Sequence, residues 1–165
     1  MVTTDPFTEL TLALSKPTLG KMNKYQEICR CVDYVIPKAN RITLWKFNPE
    51  KTVIVCLVLF ENQKFSTPDN LKLKQQDFPV YFDAVLKNDV VVASDAREDS
   101  YTRCFTEGYF KPNNIHSLLD YVFHDDLSPL GVICCEATGS AVTWSHQDIA
   151  ALKRVAQTTS MFFTG

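Results

Sequence analysis

Two β-forming stretches, residues 115–124 and 130–137, stand one polar turn apart and commit this chain to an antiparallel hairpin. Asp125, Asp126, Ser128 and Pro129 lie between them, residue types that favour a reversal over a continued strand. After Gly139 the pattern changes. Ser145 is a candidate helix N-cap and Asp148 follows three positions on, as in a capping box. Beyond it Ile149, Leu152, Val155, Ala156, Thr159 and Phe163 mark one helix face, which must dock on something apolar.

Upstream, Tyr25, Ile28, Val32 and Val35 recur at helical spacing over 21–36, and Pro37 stops the helix. A weaker helical pattern runs over 1–15 through Phe7, Leu10 and Leu14, set apart by Pro17 and Gly20. Strands are expected over 41–47 and 53–60, joined by a turn at Asn48 and Pro49, with a short edge strand over 71–74. Residues 78–86 form a helix with Phe78, Phe82, Val85 and Leu86 inward, and 90–93 a strand. The mixture of charges and aromatic rings over 99–111 predicts a short helix lying over a surface as a lid. This order of elements predicts an α+β domain, an antiparallel sheet with helices packed on one face. No repeat or flexible linker divides it, so 1–165 is expected to be one unit, with 1–20 a leading helix or arm and 21–165 the core.

Composition narrows the function. The longest apolar run, 53–60, is far short of the roughly 20 residues that span a bilayer, and the N-terminus has no basic start, so neither membrane insertion nor secretion is expected. A cytoplasmic location follows as the default. The net charge of −2 comes from scattered residues and offers no basic footprint for nucleic acid. The six cysteines show no CxxC spacing, so no zinc cluster is expected, and Cys29, Cys56, Cys134 and Cys135 read as buried small hydrophobes. Gly131 and Gly139 belong to no glycine-rich phosphate loop and serve backbone geometry.

Three segments, VVVASDAREDSYTRCF, YFKPNNIHSLLDYVFH and LGVICCEATGSAVTWSHQDIAALKRVA, resemble the strand-Asp segment, the following loop and strand, and the closing strand and helix of bacterial GAF domains. Leu130, Gly131, Val132, Glu136, Trp144 and the stretch from Asp148 to Ala156 carry the pattern. The resemblance covers about 75 residues closely and the N-terminal part by element order alone. It implies a sheet of about six antiparallel strands, terminal helices on one face and a loop-roofed ligand pocket on the other. It also implies an N-terminal sensor that signals through its first and last helices, as a homodimer, to a fused output domain such as a kinase or cyclic-dinucleotide enzyme. No such output domain is present in this sequence, which is therefore expected to be regulatory and not catalytic.

In that fold the pocket candidates are Cys104, Phe105, Tyr109, Phe110, Ile115, Ser117, Asp120 and His124, a mixture suited to a small organic ligand. Asp120 is the informative member, since a carboxylate flanked by Leu118, Leu119 and Tyr121 needs a partner. Cys104 beside Arg103 is the candidate redox thiol, with His116 and His124 as the imidazoles that could activate it. Bilin-attaching GAF domains often place His after the linking cysteine, and here Phe105 stands there. Haem would need His116 or His124 as axial ligand. Cyclic nucleotides are disfavoured because no Asn-Lys pair follows Glu136, and Asp148 reads as first-turn helix charge. The cofactor stays open. The leading expectation is a small-molecule sensor, with a ligand-free dimerisation module as the alternative.

Overall fold

One antiparallel sheet separates two apolar cores. The computed structural model describes residues 5–163. In chain order the elements are α1 (Pro6–Leu14), α2 (Lys21–Val35), β1 (Arg41–Phe47), β2 (Val53–Glu61), β3 (Lys64–Ser66), β4 (Lys72–Lys74), α3 (Pro79–Asn88) and β5 (Val90–Ala93). A lid follows, made of a 3-10 turn (Arg103–Phe105) and a π-helical turn (Thr106–Phe110), and then β6 (Ile115–Asp125), β7 (Ser128–Thr138) and α4 (His146–Phe162). Of the leading helical pattern, residues 1–4 lie outside the described residues.

The strands run β3-β2-β1-β7-β6-β5, with β4 also paired to β2, so the sheet has seven strands where about six were expected. The extra strand is β3, which returns from β2 through Asn62 and Gln63, both at positive φ (54° and 61°). That backbone suits a two-residue hairpin turn. Phe65 on β3 then packs edge-on against Phe60, 4.4 Å between ring centres.

On one face α1, α2 and α4 close a core with Ile42, Leu44, Leu119, Ile133 and Cys135 from the sheet. Ile28, Val32, Leu152 and Val155 are wholly buried there, and burial of each such side chain contributes about 1.5–3 kcal/mol. The capping box starts α4 as expected: the Asp148 N–H donates to Ser145 Oγ and the Ser145 N–H to Asp148. On the opposite face α3 and the lid close a second core over Trp45, Phe47, Val122 and Val132. Along β6, Leu118, Asp120 and Val122 face this lid side and Leu119 and Phe123 the helices, the period-two alternation of a strand.

A β-bulge lets β2 serve both cores. Its register against β1 jumps between Leu44–Val58 and Trp45–Cys56, leaving Leu57 extra. Ile54 and Cys56 therefore face the lid, while Val58 and Phe60 face the helices, although all four alternate in sequence. Gly131 of β7 is required by close packing, because a Cβ there would lie 2.2 Å from both the Phe123 ring and the Trp45 carbonyl oxygen. Among the described residues no helix is long and apolar enough to cross a membrane.

Candidate functional site

Between the sheet and the lid lies a cavity lined by Trp45, Ile54, Leu73, Tyr81, Phe105, Tyr109, Phe110, Leu118, Asp120, Cys134 and Glu136. Its free space is about 20 Å³, room for roughly one water molecule. Phe105 is the centre of its roof. The ring stands 4.5 Å from Phe78, 5.0 Å from Tyr81, 5.7 Å from Phe110 and 6.4 Å from Tyr109, within the range of favourable aromatic packing. The lid is tied down at its start, where the Thr102 hydroxyl donates to the Ala96 carbonyl and that of Thr106 to Arg97.

The floor is polar in two places. On β6, Asp120 is buried and accepts a hydrogen bond from the Tyr81 hydroxyl on α3, while its Oδ1 has no partner. Burial pushes its carboxyl up to about 6, against the lowering effect of the neighbouring Cys134 thiol and the Tyr81 hydroxyl. On β7, Glu136 is wholly buried and takes the Arg41 guanidinium of β1 at 2.7 Å, while its Oε2 has no partner. Burial raises the Glu136 carboxyl and Arg41 pulls it the other way. Arg41 also donates to the Tyr109 hydroxyl at 2.9 Å, which joins the sheet to the lid. Burial drives both tyrosine hydroxyls well above the usual phenol range, so they act as neutral hydrogen-bonding groups.

Of the eight expected pocket residues the structure brings four together: Phe105, Tyr109, Phe110 and Asp120. Ile115 is buried in the same core but lies outside the cavity lining. Ser117 stands three positions from Asp120 in unbroken register and so faces away from the cavity; its hydroxyl donates to the Ser94 carbonyl and accepts from the Val142 N–H at 2.9 Å. His124 follows a second register shift, with its ring 3.2 Å from Asp89 and its N–H donating to Ser160 on α4. Cys104 is exposed on the lid, its thiol facing the Tyr101 carbonyl at 3.8 Å, and partial burial pushes that thiol up instead of activating it. His116 bonds Asn114 at 3.2 Å.

Among the groups that form the site's polar contacts, Glu136, Tyr81 and Arg41 were not among the pocket candidates read from the sequence. Glu136 carries the same signal as Asp120, a carboxylate between apolar neighbours, Cys135 and Ala137. Tyr81 shares the inward face of α3 with Phe82 and Val85. Arg41 begins a strand, where nothing local marks it as an ion-pair partner for a residue far along the chain.

No protein-family model matches the sequence, and no curated protein does. Solved structures match its fold. The GAF domain of an Acinetobacter phosphoenolpyruvate-protein phosphotransferase superposes with TM-score 0.72 at 9% identity, covering 95% of this chain and 89% of that one. The phycocyanobilin-bound GAF domain from a cyanobacterial phytochrome gives 0.67 at 15% identity, with 97% and 94% covered. Free methionine-R-sulfoxide reductase from Neisseria meningitidis, in complex with its substrate, gives 0.69 at 12% identity, with 95% and 85% covered. Seven antiparallel strands, α1, α2 and α4 on one face, α3 and the lidded cavity on the other and these superpositions together give the chain the fold of a GAF domain.

Proposed function

We propose that residues 1–165 are a single sensory domain of the GAF type that takes a small-molecule signal into the lidded cavity and controls a fused output domain in the cytoplasm. The observation that carries this reading is the pair of unpartnered carboxylate oxygens, Asp120 Oδ1 and Glu136 Oε2, in one aromatic cavity. Buried polar atoms ordinarily have partners, and two such exceptions in one cavity are what a binding site with few polar anchors contains. Leu119 and Tyr121 flank Asp120 and contact the helix-side core, so a ligand that moves β6 acts on α4 as well.

The reading is regulatory and not catalytic. The fold alone does not decide this, because the Neisseria reductase shares it. The argument rests on Cys104, an exposed thiol without an activating neighbour, and on Cys134, whose thiol burial pushes well above the usual range. Covalent bilin attachment does not fit, since Cys104 is exposed and stands outside the cavity lining. Haem does not fit either, because neither His116 nor His124 lines the cavity.

The small free volume favours the second reading, a ligand-free dimerisation module. Its surface would include Leu12, Met22, Tyr34 and Met161, exposed large side chains of α1, α2 and α4. Native mass spectrometry of the purified chain with an absorbance spectrum separates the two. A retained small molecule supports the sensor; a colourless, ligand-free dimer whose lid amides respond to no added compound supports the module.

A further inference from the structure

Charge in and around the cavity does not balance. Arg41 is the cation of the cluster, and it is engaged by Glu136 at 2.7 Å and, at the rim, by Glu61 at 3.8 Å. Asp120 faces the Tyr81 phenol and the Cys134 thiol, with no Lys, Arg or His in ion-pair contact among the described residues. An ionised Asp120 is thus one negative charge in excess, in a place where an uncompensated charge is costly. The two unpartnered oxygens belong to neighbouring strands. Asp120 pairs across from Cys134 and Leu118 from Glu136, so the carboxylates are diagonal neighbours on one sheet face. Diagonal positions lie about 7–8 Å apart, a gap that one group with several N–H donors can bridge.

The walls select among cations. Trp45, Tyr81 and Phe105 line the cavity with aromatic rings, a residue type that attracts positive charge and gives an organic body an apolar wall, while the Tyr109 ring already carries the Arg41 guanidinium, 5.5 Å from its centre. A hard divalent metal needs about six oxygen ligands, and among the described residues no group of His, Cys, Asp or Glu can hold one. An anion would meet both carboxylates.

Resting on the cavity as the sensory site, we infer that its ligand is a small organic monocation, an ammonium or amidinium on an apolar body, held between Asp120 and Glu136. Its donors satisfy Asp120 Oδ1 and Glu136 Oε2, and its body displaces the roof rings of Phe105 and Tyr109, so that binding and lid movement are one event.

The test titrates the full chain with phenethylammonium and benzamidinium, and with their neutral counterparts phenethyl alcohol and benzamide. Binding is followed by calorimetry and amide NMR at about pH 8, where Asp120, raised to about 6, is ionised. At least one cation is expected to shift the amides of residues 103–110, with its neutral counterpart weaker by about tenfold or more. Asp120→Asn should weaken the cation by a similar factor and leave the neutral compound unchanged. If that variant does not fold, Glu136→Gln takes its place with the same expectation. Equal binding of charged and neutral probes, or undiminished binding to the folded variant, overturns the cation and leaves the cavity as a site. If none of the four compounds moves the lid amides, the cavity reading falls together with the cation.

Discussion

The Tyr81 hydroxyl, on α3, donates to the Asp120 carboxylate, on β6, across the floor of the cavity, with both residues buried. This bond supplies a protein partner for Asp120 from outside the sheet. Tyr81→Phe removes the donor without opening a cavity and should cost about 1–3 kcal/mol. The loss should be larger at pH 8 than at pH 5, since the ionised carboxylate depends on the donor more than the neutral acid does. Urea unfolding at both pH values measures it, and equal losses would mean that Asp120 stays protonated throughout.

Asp120 also sets a pH dependence of unusual sign. Its carboxyl stands at about 6 in the folded chain against an ordinary 3.8, so between those values the folded state binds more protons than the unfolded one. Stability therefore falls as pH rises through that window, and the cost is complete above it. Glu136 is shifted in the same direction. Asp148 acts oppositely: burial raises its carboxyl, but the Ser145 N–H and Lys38 outweigh that and hold it below 3.8, so its contribution is lost as pH falls further. Asp120→Asn should therefore gain stability relative to wild type as pH rises from about 4 to about 7, seen in thermal melts of the pair. Parallel curves would contradict the raised carboxyl.

At Gly131 an added methyl group meets the Trp45 carbonyl oxygen and the Phe123 ring, each at 2.2 Å. The ring can turn aside, but the carbonyl belongs to the sheet backbone. Gly131→Ala should destabilise the chain by about 1–3 kcal/mol or more, checked by the urea midpoint.

Tyr109→Phe removes the bond from Arg41 to the lid and keeps the ring packing. Amide hydrogen exchange should accelerate over residues 103–110, by up to about tenfold, while β6 and β7 keep their protection. Acceleration spread evenly over the sheet would mean that the bond supports the whole fold and not the lid.

The hairpin, the last helix and its cap were legible in sequence because each rests on local chemistry: turn residues around Asp126, and Ser145 with Asp148. So was the burial of Cys29, Cys56, Cys134 and Cys135, which sit among apolar neighbours. The short strand β3 was not, since three residues cannot display a period. Nor was the division of β2 between two cores, because a bulge at Leu57 reverses the faces of a uniformly apolar run. For the site, alternation could have separated Ser117 from Asp120, which stand an odd number of positions apart and so face opposite ways on a regular strand. His124 passes that same test and was lost only to the register shift after Phe123. Arg41 needed the paired strands themselves, since its bond to Glu136 spans 95 positions.

The alternation along β6 and β7 has a consequence for how such a domain can diversify. Leu118, Asp120, Val122, Cys134 and Glu136 belong to the lid side, while Leu119, Phe123, Ile133 and Cys135 belong to the helix side. On the sensory reading proposed above, exchanging the first set would change what the cavity accepts while leaving the side chains under α2 and α4 in place. The sheet is thus a two-sided template whose lid-side and helix-side residues can be exchanged one set at a time.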